Sequence, residues 1–184
     1  MADPTEVALR VVDALSREGL PSAIGGALAF GRWVRPRATL DADINVFAGE
    51  DSFERILDVM HDLGAVFDRA DCLERFRRGD VAFVRFEDVR VDLFVPSIPF
   101  YELAEQTVVH TDIGGRQVPF LSAEALAVFK LLFFRSKDMR DLEALVEELG
   151  DRLDVAWVRH HVAAMMGEDD ERIRDWDRLV ERFG

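Results

Sequence analysis

The sequence predicts an α/β (α+β) protein: a small mixed β-sheet flanked by helices, with a C-terminal helical segment. Three observations predict it. Short strand-like apolar runs ("SAIGG", "TLDADINVF", "VAFVRFEDVRVDLFV") alternate with helix-period stretches through the first 120 residues. Two hairpin signals, at Glu87-Asp88 and at Gly114-Gly115, lie in the same portion. From Ser122 onward every apolar stripe has helical spacing. The expected organisation is an α/β core over residues 1–120 and a helical region over 121–184 packed on it.

The elements follow in order. Asp3-Pro4-Thr5-Glu6 reads as a helix start, with an N-cap, proline at the first helical position and glutamate at the third. Val7, Val11 and Leu15 continue its apolar stripe, and Gly19 with Pro21 ends it. "SAIGG" is a short buried strand turning at glycine, residues 27–33 are helical, and "TLDADINVF" is the second strand. Asp51 and Glu54 have the spacing of a capping box for a helix that buries Ile56, Met60 and Leu63 and closes at Gly64. In the next hairpin Val89, Val91, Leu93 and Val95 face one way, and Arg90, Asp92 and Phe94 the other. "TVVHTDIGGRQVPF" forms the second hairpin. Ser122 caps the first helix of the tail, with Leu121 and Leu126 spaced as a hydrophobic staple. A helix carrying Met139, Leu142, Leu145 and Leu149 ends at Gly150, and two more follow.

The 184-residue length and an apolar fraction of 49% suit a packed domain and not a disordered chain. A net charge of −13 argues against a broad electrostatic grip on nucleic acid. Two arginine clusters, Arg32 with Arg35 and Arg37, and Arg75 with Arg77 and Arg78, leave room for local basic patches. No apolar run is long enough to span a bilayer, and "MADPTEVALR" lacks the basic head and apolar core of a signal peptide. The lone Cys72 has no partner for a disulfide. These features lead to the expectation of a cytoplasmic protein with no membrane partner.

The chemistry concentrates in residues 25–47. Asp41 and Asp43 stand two apart on a strand, so their carboxylates share a face while Leu40, Ala42, Ile44 and Val46 fill the other. Like charges at that spacing repel, and partial burial raises the cost. A cation between them removes the conflict. Asp92 reaches the same face if the second strand pairs with the arm that carries it. Three converging carboxylates suit Mg²⁺ or Mn²⁺ and do not suit zinc. Gly25 and Gly26, at a strand-to-helix turn, let backbone N–H groups approach a phosphate with a helix N-terminus behind them.

This ordered set, Gly25-Gly26, then Asp41-x-Asp43, then Asp92 in "VDLF", resembles the nucleotidyltransferase superfamily. It is closest in style to the bacterial AbiEii-type toxins. That style shows in "RATLDADI", where Arg37 and Thr39 lead into the aspartates, and in "LSAEALAVFKLLFFRSKDMRDLEAL", with Lys130, Arg135, Lys137, Asp138 and Asp141. The resemblance covers about residues 20–149. It implies a Mg²⁺-dependent transfer of a nucleoside monophosphate from an NTP to a hydroxyl acceptor, with pyrophosphate released. Asp41, Asp43 and Asp92 would hold the metal, and Asp92 would help deprotonate the acceptor. Gly25 and Gly26 would cradle the triphosphate, and Arg37, Thr39, Lys130 and Lys137 would complete the nucleotide site. Acceptors in the superfamily include tRNA ends, proteins and small antibiotics, and the toxin-like branch pairs with an antitoxin protein. An aminoglycoside-type enzyme and a non-catalytic binding descendant are the alternatives. Two departures are visible: a long gap between Gly26 and Asp41, and Asn45 in place of an apolar or acidic residue.

Each residue also has a plainer role open to it. Asp41 or Asp43 would pair with Arg37, and Asp92 with Arg90 or Arg85. Lys130 serves equally as a snorkelling lysine on an apolar helix. Asp138 and Asp141 suit the first turn of their helix. His61, His110, the adjacent His160-His161 and Cys72 show no ligand or nucleophile spacing.

Overall fold

The structure, a computed structural model, describes residues 2–184. Asp3 accepts a hydrogen bond from the Thr5 N–H at 2.9 Å and starts helix α1 (Pro4–Arg17), whose Val7, Val11 and Leu15 are buried. Strand β1 (Ser22–Ile24) leads into α2 (Gly26–Trp33), and β2 spans Asp41–Val46. Helices α3 (Phe53–Asp62) and α4 (Arg69–Arg78) precede the hairpin of β3 (Ala82–Phe86) and β4 (Val89–Phe94). A short helix α5 (Phe100–Gln106) and a second hairpin, β5 (Val109–Ile113) with β6 (Arg116–Phe120), follow. Gly114 and Gly115 both have positive φ, 61° and 82°, as a two-residue hairpin turn of this hand requires. Helices α6 (Ala123–Phe133), α7 (Ser136–Leu149), α8 (Val155–Met166) and α9 (Glu171–Phe183) complete the chain.

The six strands form one mixed sheet in the order β3-β4-β2-β1-β6-β5. The parallel pairs are β2 with β4 and β1 with β6; the other pairs are antiparallel. The chain divides into two compact units. The first holds residues 1–29 with Arg37–Leu121 and contains the whole sheet. In it α1 lies against β1, β2, β4 and β6, over the face formed by Ala42, Ile44, Val46, Val91 and Leu93, all fully buried. The second holds Phe30–Pro36 and Ser122–Gly184. There α6 packs against α7, α8 and α9, and buried Trp176 donates its Nε1–H to the Val155 carbonyl at 3.2 Å. No helix among the described residues is long and apolar enough to cross a membrane.

The sequence-based elements form as expected, with three differences. The Asp51–Glu54 capping box does not: a 3-10 turn over Glu50–Ser52, closed by the Ser52 N–H on the Gly49 carbonyl at 2.9 Å, takes Asp51 inside it, and α3 starts at Phe53. Helix α4 buries only Cys72 and Phe76 in ten residues, so its apolar period is too sparse to read. Its Asp68 cap and left-handed Gly79 stop are nonetheless regular. Helix α5 is only seven residues long, below the length at which periodicity is informative.

Candidate active site

The site begins where β1 meets α2. The Gly25 N–H donates to the Asp43 carbonyl at 2.8 Å, which pins the turn to β2. A Cβ on Gly25 would lie 2.4 Å from the Asn45 Nδ2. Gly26 has φ +52°, and a Cβ there would lie 1.7 Å from the Asp43 Oδ2. Gly26 is therefore required, for conformation and for space, and a side chain at Gly25 would displace the Asn45 amide. The space denied to a side chain is taken by the Asp43 carboxylate.

Strand register supplies the second carboxylate. Parallel pairing of β2 with β4 sets Asp43 directly beside Asp92 and Asp41 beside Arg90. On the next strand Phe83 stands opposite Asp92 and Arg85 opposite Arg90. Asp41, Asp43, Arg90, Asp92 and Phe83 thus share one sheet face, opposite the face that α1 covers. Asp41 is exposed, Asp43 and Asp92 are half-buried, and Asn45, the deepest member of the row on β2, is buried. Thr39 braces Asp41 from its own backbone: the hydroxyl donates to the Asp41 carbonyl at 3.0 Å and accepts from the Asp41 N–H at 3.3 Å.

Asp92 is engaged. Arg90 Nε donates to its Oδ1 at 2.5 Å and Nη2 to its Oδ2 at 3.1 Å. The same guanidinium lies over the Phe83 ring, 4.5 Å from its centroid, and Arg75 lies 4.6 Å from that centroid. Among the described residues no three His, Cys, Asp or Glu side chains gather as a metal-binding group. The expected meeting of three carboxylates is instead a pair in register, Asp43 and Asp92, with Arg90 on Asp92. Of the plainer partners weighed for Asp92, Arg90 is the one the structure shows.

The remaining sequence-based candidates fall as follows. Arg37 is exposed on the segment entering β2. Lys137 is exposed on α7, in the second unit. Lys130 is 6% exposed in the same unit, with its Nζ 2.5 Å from Asp141 Oδ2 and 3.8 Å from Asp138 Oδ1. Two carboxylates satisfy its charge, so its evident role is structural. The Arg75 cluster is likewise paired, with Arg75 on Asp71, Arg77 on Glu50 and Arg78 on Glu74, and it forms no free basic patch. A cavity of about 460 Å³, lined by Val12, Asp13, Leu20, Phe47, Glu105 and His110 among others, includes Ser22 at the far end of β1 from Gly25, and none of the predicted site residues.

Hard oxygen donors beside a glycine turn fit Mg²⁺, which takes one or two protein carboxylates and leaves positions for water and phosphate. Asp43 and Asp92, adjacent in register, meet that requirement with Asp41 two residues away on the same strand.

No protein-family model matches the sequence, and no curated protein matches it. Solved structures do match. The antibiotic-resistance factor ANT(2'')-Ia aligns over 98% of this chain and 97% of its own, with TM-score 0.58 and 16% identity. An antigenic nucleotidyltransferase-like protein from Paracoccidioides brasiliensis aligns over 98% and 93%, with TM-score 0.55 and 17% identity. The lincosamide antibiotic adenylyltransferase LnuA aligns over 78% and 99%, with TM-score 0.53 and 14% identity. The fold is that of a nucleotidyltransferase. Arg90, Phe83 and Asn45 lie beside the candidate aspartates, and sequence reasoning gave them no role in the reaction. Arg90 was within reach, since two residues before Asp92 on a strand means the same face; its contact with Phe83 needed the register of β3.

Proposed function

We propose that the protein is a metal-dependent nucleotidyltransferase that moves a nucleoside monophosphate from an NTP to a hydroxyl acceptor. The observation that carries this reading is the placement of Asp43 and Asp92 in register on neighbouring strands, with the Asp43 carboxylate filling the space beside Gly26. Asp43 and Asp92 would hold Mg²⁺ or Mn²⁺, with Asp41 two residues from Asp43 on the same strand, and the metal would neutralise charge on the triphosphate when bound. The Gly25 amide is spent on Asp43, so Gly25 contributes the tight turn. Donation to phosphate falls to Gly26 and the first turn of α2. Thr39 fixes Asp41, and Arg37 on the same approach adds positive charge. Asp92 takes the proton from the acceptor hydroxyl, whose oxygen bonds to the α-phosphorus. The bond from that phosphorus to the oxygen bridging to the β-phosphate breaks, and pyrophosphate leaves.

Two acceptor classes have support. The "RATLDADI" motif and the pattern of the helical tail favour a toxin-like enzyme acting on tRNA or protein and held in check by an antitoxin. A small cationic antibiotic is favoured by the full-length fold match to ANT(2'')-Ia and by a net charge of −13, which attracts cations. The test is incubation with each α-³²P-labelled NTP, Mg²⁺ or Mn²⁺, and in turn total tRNA, cell lysate and aminoglycosides. Label on a nucleic acid or protein supports the first class, and label on the drug supports the second. No label on any acceptor with any NTP contradicts the proposal.

A further inference from the structure

We propose that Arg90 is a built-in counter-cation that holds Asp92 in the metal-free protein and competes with the metal for it. The inference rests on the metal site proposed above, and it concerns a residue that this reading does not otherwise use.

Arg90 grips both oxygens of Asp92, Nε on Oδ1 at 2.5 Å and Nη2 on Oδ2 at 3.1 Å. A two-pronged guanidinium takes one lone pair on each oxygen, about half of those the carboxylate offers, and its positive charge opposes a cation on the rest. A metal shared between Asp43 and Asp92 therefore binds against the charge of Arg90, and binds better when a prong lets go. The guanidinium is positioned to do this from a defined place. Its Cζ lies over the ring of Phe83, which stands opposite Asp92 in the sheet, and cation–π contact is retained when a carboxylate hydrogen bond is lost. Arg90 is also half-exposed at 41%, against 19% for Asp92, so the arginine has room to swing while the carboxylate does not.

The arrangement answers a physical difficulty of the site. Asp43 and Asp92 are neighbours and half-buried, and without a cation they would repel. Arg90 supplies positive charge to Asp92 when no metal is present. It therefore stabilises the apo site and weakens metal binding by the same interaction. An NTP that brings its own negative charge tips the exchange, so metal enters with nucleotide more readily than alone.

The experiment is Mn²⁺ binding to the full chain without nucleotide, read by electron paramagnetic resonance and by calorimetry, for wild type, Arg90→Gln and Arg90→Lys. Arg90→Gln should tighten Mn²⁺ binding about threefold to tenfold, equivalent to about 0.7–1.4 kcal/mol. Arg90→Lys, which keeps the charge and loses the fork, should fall between the two. The same variants should unfold at slightly lower denaturant when no metal is present. Unchanged or weaker Mn²⁺ binding in Arg90→Gln overturns the proposal. Asp43→Asn separates the two levels of argument. If it abolishes Mn²⁺ binding while Arg90→Gln has no effect, the metal site stands and the counter-cation role falls. If Asp43→Asn leaves Mn²⁺ binding intact, the metal site is elsewhere and both readings fall.

Discussion

Gly26 shows how one position ties local conformation to the site. Its φ of +52° is strained for any other residue, and a Cβ would strike the Asp43 carboxylate, with Oδ2 1.7 Å away. Gly26→Ala should therefore cost about 1–3 kcal/mol in denaturant melts and abolish nucleotidyl transfer, because Asp43 must move. A neutral effect on both would remove the turn from the site. Asp92→Asn is the milder change. It leaves the half-exposed Arg90 without a carboxylate, so we expect a loss of about 1 kcal/mol or less in the apo protein, with transfer abolished. At this scale the sequence was legible where spacing alone decides the outcome. Gly25-Gly26 and Asp41-x-Asp43 declare themselves as neighbours in the chain. The Arg90–Asp92 pair was one of several partners open to Asp92, because choosing among Arg90, Arg85 and a metal depends on side-chain reach that spacing does not set.

At the scale of elements, β3 and β4 were readable because each alternates over one buried face, and β5 with β6 from the Gly114-Gly115 turn between them. Helix α4 was not, because packing against β3, and not an apolar stripe of its own, holds it in place. The pair α6–α7 carries the clearest energetic commitment. Lys130 is buried between Asp141 and Asp138, and Arg135 donates its Nε–H to Asp138 at 2.6 Å. Lys130→Ala would take the buried ammonium away from Asp141 while Arg135 still holds Asp138, and should destabilise by about 3–5 kcal/mol in denaturant melts. A loss below 1 kcal/mol would mean that the lysine is not structural. On α8, burial pushes the His161 imidazole below its ordinary range, and the neighbouring His160 adds to the effect. A depressed histidine binds its proton more readily when unfolded, so stability is complete at neutral pH and declines as pH falls below about 6.5. Melts between pH 5 and 8 should show that slope, and His161→Gln should flatten it.

At the scale of the molecule, the order of strand, turn, strand and hairpin was enough to predict a mixed sheet, and the parallel pairing of β2 with β4 in it meets the condition on which Asp43 and Asp92 become neighbours. The division of the chain was harder to read. Phe30–Pro36, at the end of α2, belongs to the second unit, and no composition shift marks that change. A ligand that binds only the folded state stabilises it by mass action. Mn²⁺ with a non-hydrolysable NTP at about 100 times Kd should add about 2.7 kcal/mol, raising the melting temperature by about 5–10 °C for a chain of this size. The central claim is that Asp43 exists for chemistry. The measurement that tests it most directly is pyrophosphate release from an NTP by the wild type beside Asp43→Asn, with Mg²⁺ or Mn²⁺ and the acceptor that takes label. The account predicts release matching the nucleotide transferred in the wild type and none in Asp43→Asn, although the variant remains folded. Equal release by the two proteins, or none by the wild type, would contradict it.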